Sequence, residues 1–375
     1  MRDDELREQF SEWARPLQAA RPPALSVIRR RARRRTARMA AAGLAAAGAA
    51  AVIVLVSIPQ IGHAPPQTGT PVPPFVVVLD QATGGRPAQV MDVVTGHRLG
   101  QVRTPVARSS FEWAAAAADD RTFVLADQSQ TLTYRFYLLR LAADGQPGRL
   151  TRLAVPPLHN DQIYGMAVTA DASKLAVAWQ NNPTGPVRSH ISVTALAAGS
   201  TRTWTSAQGG ALSLSWAGDR TLALDWQDTT RPARSGIRLL DTAAAGTSPL
   251  ASRLLIPAST RTARLSSPGS PLISRDGSAL FATMAAGPAG TQTAIVRFSA
   301  RTGKLLAVLT RPAATAPPAQ AQWYCGVLWA DPHGQHLLTQ CGTTQASIHG
   351  NRSTRIRLHH LIPASPVGFA NTFAW

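Results

Sequence analysis

The sequence is poor in cysteine and lysine, and both shortages restrict the class of protein it can encode. Its two cysteines, Cys325 and Cys341, form no Cys-x-x-Cys pair. Its two lysines, Lys174 and Lys304, leave arginine to supply almost all of the positive charge behind the formal net charge of +18. Together with abundant alanine, glycine and proline, this bias is typical of a high-GC bacterial genome rather than of selection for a polyanion. Because no recognised nucleic-acid-binding module is present, we expect no nucleic-acid partner.

Motifs that would indicate catalysis are also missing. The chain has no Gly-x-Ser-x-Gly elbow, no His-Glu-x-x-His helix and no phosphate-binding loop. His333 and His336 flank a turn tip, where exposed histidines are common. His359 and His360 alternate along a strand, so they cannot both face one metal. We therefore predict no catalytic residue, no cofactor and no metal site.

One long apolar run is present, at residues 39–58 (MAAAGLAAAGAAAVIVLVSI), and it contains no charged residue. About 20 such residues suffice for a helix to cross a bilayer. Residues 1–38 before it hold 11 arginines and 5 acids, whereas no formal charge follows it until Asp80. This asymmetry predicts a single-pass signal-anchor helix in the cell membrane, with the N-terminus cytoplasmic and the C-terminal domain extracellular. The alternative is a cleaved export signal, with Gly62-His63-Ala64 as its cleavage site.

The segments on either side of the run have their own patterns. In residues 1–38, an Arg-rich cytoplasmic tail, Leu6, Phe10 and Trp13 share one face of a short predicted helix. This face is a candidate docking surface for a cytoplasmic protein, although a tail lying at the membrane surface is the simpler interpretation. The tail has no histidine or cysteine, so it cannot hold zinc in the manner of a zinc-type anti-sigma module. Residues 59–74 are predicted to be a Pro-rich linker.

From residue 75 to residue 375, short β-rich runs alternate with turn signals, and no amphipathic helix is convincing. Each unit of roughly 50 residues opens with two strands joined by a polar turn, such as Asp276-Gly277 or Gly218-Asp219-Arg220. A second hairpin follows, with turns such as Thr95-Gly96 and Thr302-Gly303. Four strands per unit at this period predict a β-propeller.

The two-hairpin unit resembles the blades of WD40-like and TolB-like propellers, and the resemblance covers residues 75–375. The whole chain resembles actinobacterial single-pass membrane proteins with propeller ectodomains, some of which are encoded near sigma factors. This resemblance implies a fold and allows a signalling role. It specifies no activity, because propellers host many functions.

Five full units start near Phe111, Ile163, Leu212, Pro271 and Trp323. A sixth unit has only three strands at its start, in residues 75–104, while the chain ends in a copy of an innermost strand, Asn371-Thr-Phe-Ala-Trp375. We therefore predict an all-β, six-bladed propeller closed by the last strand, with seven blades as the alternative. The strand tryptophans Trp113, Trp179, Trp216, Trp226 and Trp329 are expected to pack between blades, with a sugar-stacking site at the ring's mouth as the minority interpretation.

The function that these patterns favour is a binding, sensory or scaffolding module. Its expected partner is a protein or a cell-wall ligand on one propeller face, and a signal could pass to the tail. An extracellular propeller enzyme and a structural cell-envelope protein are the alternatives.

The two cysteines are predicted to form a disulfide. If Asp331 pairs with Gln335 around a three-residue loop, the register places Cys325 opposite Cys341. Directly opposed residues are close enough for a disulfide after modest adjustment, and the outside compartment permits oxidation. Two buried free thiols are the alternative.

Overall fold

The computed structural model describes residues 73–79, 87–93, 95–181, 188–262, 265–286, 292–310, 325–341, 344–349, 352–356 and 373–374. The chain divides into two compact units, Met1–Pro66 and Gln67–Trp375. The predicted tail helix and the apolar run at residues 39–58 lie in the first unit, outside the described residues. Residues 59–72 of the predicted linker also lie outside the described residues. Within the described ranges, no helix has both the length and the hydropathy of a membrane span.

The described part of the second unit forms six antiparallel sheets in chain order, which are the six blades of a propeller. Blade 1 contains β1 (Phe75–Val78), β2 (Ala88–Asp92) and β3 (Arg98–Val102). Blade 2 contains β4 (Ser109–Ala116), β5 (Thr122–Ser129), β6 (Thr133–Arg140), β7 (Thr151–Arg152) and β8 (Leu158–His159). Blade 3 contains β9 (Asp161–Val168), β10 (Lys174–Asn181), β11 (Ser189–Ala195) and β12 (Thr201–Ser206). Six blades confirm the predicted architecture, and the seven-bladed alternative is wrong.

Blades 4 to 6 repeat the pattern, with 3-10 helices at Pro232–Arg234 and Pro249–Ala251 inside blade 4. Blade 4 contains β13 (Gly209–Ala217), β14 (Thr221–Asp228), β15 (Gly236–Asp241) and β16 (Arg253–Pro257). Blade 5 contains β17 (Arg261–Thr262), β18 (Leu265–Ile273), β19 (Ala279–Ala286), β20 (Gln292–Ser299) and β21 (Leu305–Val308). Blade 6 contains β22 (Cys325–Ala330), β23 (His336–Cys341), β24 (Thr344–His349) and β25 (Arg352–Ile356).

The last strand, β26 (Phe373–Ala374), closes the ring as predicted. It pairs antiparallel with β1, with Val77 opposite Ala374 and Val78 opposite Phe373. Blade 1 therefore takes its innermost strand from the end of the chain and its other three strands from the start of the propeller.

The hydrophobic core lies between successive blades rather than inside any one of them. Five clusters of buried side chains fill the interfaces from blade 1–blade 2 to blade 5–blade 6. Three of the five predicted tryptophans, Trp113, Trp216 and Trp226, are buried in these clusters, which confirms their packing role. Trp329 is buried as well but belongs to none of the five clusters. Trp179 differs, because its ring is only half-buried.

Each of blades 2 to 6 carries a β-bulge in its innermost strand. The extra residue is Glu112, Tyr164, Leu212 and Leu328 in blades 2, 3, 4 and 6, and β18 of blade 5 has two irregularities. A bulge increases the local twist of a strand. Its recurrence at the inner edge indicates a shared feature of these repeats that the sequence pattern did not reveal.

One of these bulges corrects the argument made for the cysteines. The backbone N–H of Asp331 donates to the carbonyl of His336, and Ala330 pairs with Leu337, so the predicted pairing of Asp331 with Gln335 is wrong. The bulge at Leu328 then shifts the register by one residue. Cys325 consequently lies opposite Cys341, as predicted.

The disulfide itself stays a prediction, since the cysteine side chains lie outside the described part of the structure. We expect the exported protein to show no alkylatable cysteine before reduction, and two after it, by mass spectrometry. Closing this hairpin loop should stabilise the last blade by about 3 kcal/mol at most. Two alkylatable thiols without reductant, or an unchanged melting temperature in the Cys325→Ala, Cys341→Ala double variant, would contradict it.

Candidate functional site

The turns that join each innermost strand to its neighbour lie at one end of the propeller ring. Backbone hydrogen bonds link these turns from blade to blade. They run from Ala118 N to Ala170 O (2.8 Å), from Gly218 N to Arg275 O (2.9 Å) and from Asp276 N to Pro332 O (3.1 Å). The turns of blades 2 and 3, 4 and 5, and 5 and 6 are thereby joined to each other.

Arg275 adds a link across this end of the ring. It belongs to the β18–β19 turn of blade 5, and blade 2 lies opposite blade 5 in a ring of six. Its guanidinium donates to the carbonyls of Ala118 (2.9 Å) and Ala117 (3.3 Å) and lies 3.9 Å from the carboxylate of Asp120. Burial raises the pKa of Asp120, and the charge of Arg275 opposes this rise. We interpret the cluster as a structural tie.

A cleft of about 310 Å³ lies between blades 2 and 3. It forms where the outermost strand of blade 2 is interrupted between β7 and β8. Pro156 and Pro157 fall in this interruption, and proline has no N–H to continue a strand ladder. The blade 2 side of the cleft is formed by Phe136 and the segment from Val155 to His159.

The blade 3 side of the cleft is a set of hydroxyl groups on two paired strands. Ser192 lies opposite Thr203, and Thr194 lies opposite Thr201. The Oγ atoms are 3.1 Å apart in the first pair and 2.8 Å apart in the second. A hydroxyl can donate one hydrogen bond and accept two, so each pair keeps capacity for a further partner.

An aromatic pair adjoins the hydroxyl groups. The Trp179 and His190 rings stack with centroids 3.9 Å apart, and Trp179 lines the cleft. The Trp179 Nε1–H donates to Ser192 Oγ at 3.1 Å, while His190 Nδ1 lies 3.0 Å from Thr205 Oγ1. Burial lowers the pKa of His190, helped by the charge of Arg188. Both effects favour the neutral form of the imidazole.

Little charge lines this cleft, although the chain as a whole is strongly basic. The ionisable side chains of its lining are His159 and Asp161. The backbone N–H of His159 donates to the Asp161 carboxylate at 3.0 Å, and burial raises the pKa of Asp161. The lining therefore suits a ligand that is uncharged and rich in hydroxyl groups, whose apolar faces could lie on the prolines.

Two neighbouring cavities have structural explanations. Both lie beside Trp204, at the junction of blades 3 and 4. Arg202 lies over the Trp204 ring, 4.7 Å from its centroid, and donates to the carbonyls of Thr242 (3.0 Å), Gly246 (2.8 Å) and Ala244. These contacts tie the loop of blade 4 to blade 3.

Of the residues that line the cleft, the sequence pattern singled out Trp179 but not the hydroxyl residues or the prolines. Alternating hydroxyl residues, Ser192 and Thr194 on one strand and Thr201 and Thr203 on the next, were the available signal. Among the earlier candidates, Trp179 reaches the cleft, whereas His333 turns to Asp276, 3.1 Å away. Leu6, Phe10 and Trp13 lie outside the described residues. Within the described ranges, no group of three or more metal-ligating side chains converges.

No protein-family model and no curated protein matches the sequence. Among solved structures, TolB from Acinetobacter baumannii aligns at 14% identity and a TM-score of 0.47, over 74% of this chain and 61% of that chain. The putative TolB from Agrobacterium tumefaciens aligns at 14% identity and a TM-score of 0.47, over 75% of this chain and 87% of that chain. The periplasmic gluconolactonase of Pseudomonas aeruginosa aligns at 15% identity and a TM-score of 0.47, over 76% of this chain and 82% of that chain. The six-bladed assignment rests on the strand pairing and not on these likenesses.

Proposed function

We propose that this propeller is a binding module for an uncharged, hydroxyl-rich ligand, and that the cleft between blades 2 and 3 receives it. The observation that carries the proposal is the pairing of a hydroxyl-lined wall with a proline-lined wall. A cleft of about 310 Å³ is at the lower end of the range for small-molecule sites. It therefore fits a short segment of a neutral cell-wall glycan better than a folded protein.

The energetics favour such a ligand. Each ligand hydroxyl that leaves water needs a hydrogen-bond partner, since an unpaired buried hydroxyl costs roughly 1–3 kcal/mol. Thr201 is exposed and Ser192 and Thr203 are half-buried, so their hydroxyl groups are placed to supply such partners. A polyanion would instead need a cluster of arginines, and the lining of this cleft contains none.

The double variant Thr201→Val, Thr203→Val tests the proposal, because it removes two hydroxyls while conserving side-chain shape. With soluble neutral cell-wall oligosaccharides as the probe, calorimetry should show roughly 30-fold weaker binding, from about 1 kcal/mol per lost hydrogen bond.

Thr302→Val is the control, because Thr302 is exposed on blade 5 and lies outside the cleft lining. It should bind like the parent chain, and thermal unfolding of all three proteins should confirm that they fold. The proposal fails if no neutral glycan binds. It also fails if an anionic polysaccharide binds instead and the double variant leaves that binding unchanged.

The membrane attachment is part of the same proposal, and the arginine asymmetry around residues 39–58 supports it. With the N-terminus cytoplasmic, Leu6, Phe10 and Trp13 would be available to a cytoplasmic protein, and ligand binding outside could be signalled through the tail. A cysteine introduced at Ser11 should then resist an impermeant thiol reagent in intact cells and react after lysis. Labelling at Ser11 in intact cells would reverse the orientation and remove the basis for signalling.

A further inference from the structure

Two histidines lie side by side on blade 6, well away in the ring from the cleft of blades 2 and 3. His336 is the first residue of β23 and His349 is the last residue of β24, and the strand register places them directly opposite each other. His336 is half-buried and His349 is exposed. Their ring centroids are 4.1 Å apart, and His349 Nδ1 lies 3.0 Å from the ring nitrogens of His336.

The nitrogen separation matches two cis ligands of one metal ion. With metal–nitrogen bonds of about 2.0–2.1 Å, two nitrogens 3.0 Å apart subtend an angle of about 95° at the metal. Tetrahedral coordination, which Zn²⁺ prefers, would need a larger angle and a wider separation. An angle near 90° is typical of the tetragonal geometry of Cu²⁺ and Ni²⁺, which imidazole binds well.

Among the described residues, the surroundings supply two protein ligands. His333, the neighbouring histidine of the turn, is directed to the Asp276 carboxylate at 3.1 Å. The Asp331 carboxylate is close enough to His336 to act on it electrostatically. On the other side, Arg352 of β25 is the backbone register partner of His349.

We propose that His336 and His349 form a binding site for Cu²⁺ or Ni²⁺, with water completing the coordination. The pair bridges the second and third strands of the last full blade, which stands beside the ring's seam. A metal ion that binds the folded chain and not the unfolded chain stabilises it by mass action. The expected consequence is a melting temperature that rises with the concentration of Cu²⁺ or Ni²⁺. This inference does not depend on the proposed function of the cleft.

The test is a titration of the full chain with CuSO₄ or NiCl₂, followed by calorimetry and by the nitrogen couplings of Cu²⁺ in electron paramagnetic resonance. The parent chain should show a site with two imidazole nitrogens, and His349→Asn should lose that site. His349→Asn is preferred to a change at His336 because the exposed position tolerates it with little effect on folding.

His333→Asn is the matched control and should keep the site, because His333 contacts Asp276 instead. The proposal is overturned if His349→Asn binds Cu²⁺ and Ni²⁺ as the parent does. It is also overturned if the spectra never show two imidazole nitrogens, or if metal raises the melting temperature equally in His349→Asn.

Discussion

Deletion of residues 369–375 should abolish the cooperative unfolding of the propeller. The deletion removes β26, which pairs with β1 and also lies against β4 of blade 2. Blade 1 would lose its innermost strand, leaving the backbone groups of Val77 and Val78 without their partners on that side. The seam of the ring would open at the same time, since blade 1 would no longer be tied to the end of the chain.

We expect a loss of roughly 5 kcal/mol, comparable to the whole free energy of unfolding of many domains. Thermal and urea unfolding measured by circular dichroism would report it as a broad, early transition. Removal of residues 1–66, which contribute no described strand to the propeller, is the control and should leave the propeller transition unchanged. A truncated chain that melts like the parent would show that β26 is dispensable.

Replacement of Arg275 by methionine should destabilise the propeller by about 2 kcal/mol at pH 7.5. Methionine keeps most of the apolar stem but withdraws two hydrogen bonds from the carbonyls of Ala117 and Ala118 and the positive charge beside Asp120. Removing one partner of a buried ion pair costs about 3–5 kcal/mol of folding free energy. The expected cost is smaller here because the side chains of Arg275 and Asp120 are 24% and 20% exposed, so water screens the pair.

The cost should depend on pH, and its sign follows from Asp120. Burial already raises the pKa of Asp120 above its usual value, and loss of Arg275 should raise it further. An acid whose pKa is higher in the folded chain destabilises that chain when ionised, and the penalty shrinks as pH falls through the folded-state pKa. Urea unfolding should therefore show a larger effect of Arg275→Met at pH 7.5 than at pH 4.5.

A double-mutant cycle separates this charge effect from the lost hydrogen bonds. Asp120→Asn in the Arg275→Met background should recover part of the stability at pH 7.5, because no buried carboxylate remains. Arg301→Met, a change at an exposed arginine on the same blade, should alter stability by no more than about 0.5 kcal/mol. Equal costs at both pH values, with no recovery in the double variant, would show that Arg275 does not act on Asp120.

The blade pattern could be predicted from the sequence because its signals are local. A polar turn that contains a residue suited to positive φ, such as Gly277 or Gly334, determines where two adjacent strands meet. Both glycines adopt a positive φ, 69° for Gly277 and 63° for Gly334. The closing strand was predictable for the same reason, since residues 371–375 repeat the pattern of an inner strand and blade 1 lacked one.

The cysteine hairpin shows the limit of such local rules. The predicted three-residue loop was wrong and the bulge at Leu328 was not foreseen, yet the two departures cancel and Cys325 still lies opposite Cys341. A bulge adds one unpaired residue to a strand, and turn signals alone do not reveal where it falls.

The candidate sites were decided by tertiary structure, because their parts lie far apart in the sequence. The hydroxyl groups of blade 3 become one wall of a cleft only because blade 2 interrupts its outer strand at Pro156 and Pro157. Arg275 meets carbonyls that lie 157 and 158 residues earlier. His336 acquires its partner His349 through strand register. Turn chemistry and alternating hydrophobicity specify each hairpin, whereas the packing of blade against blade determines which side chains face each other across the gaps.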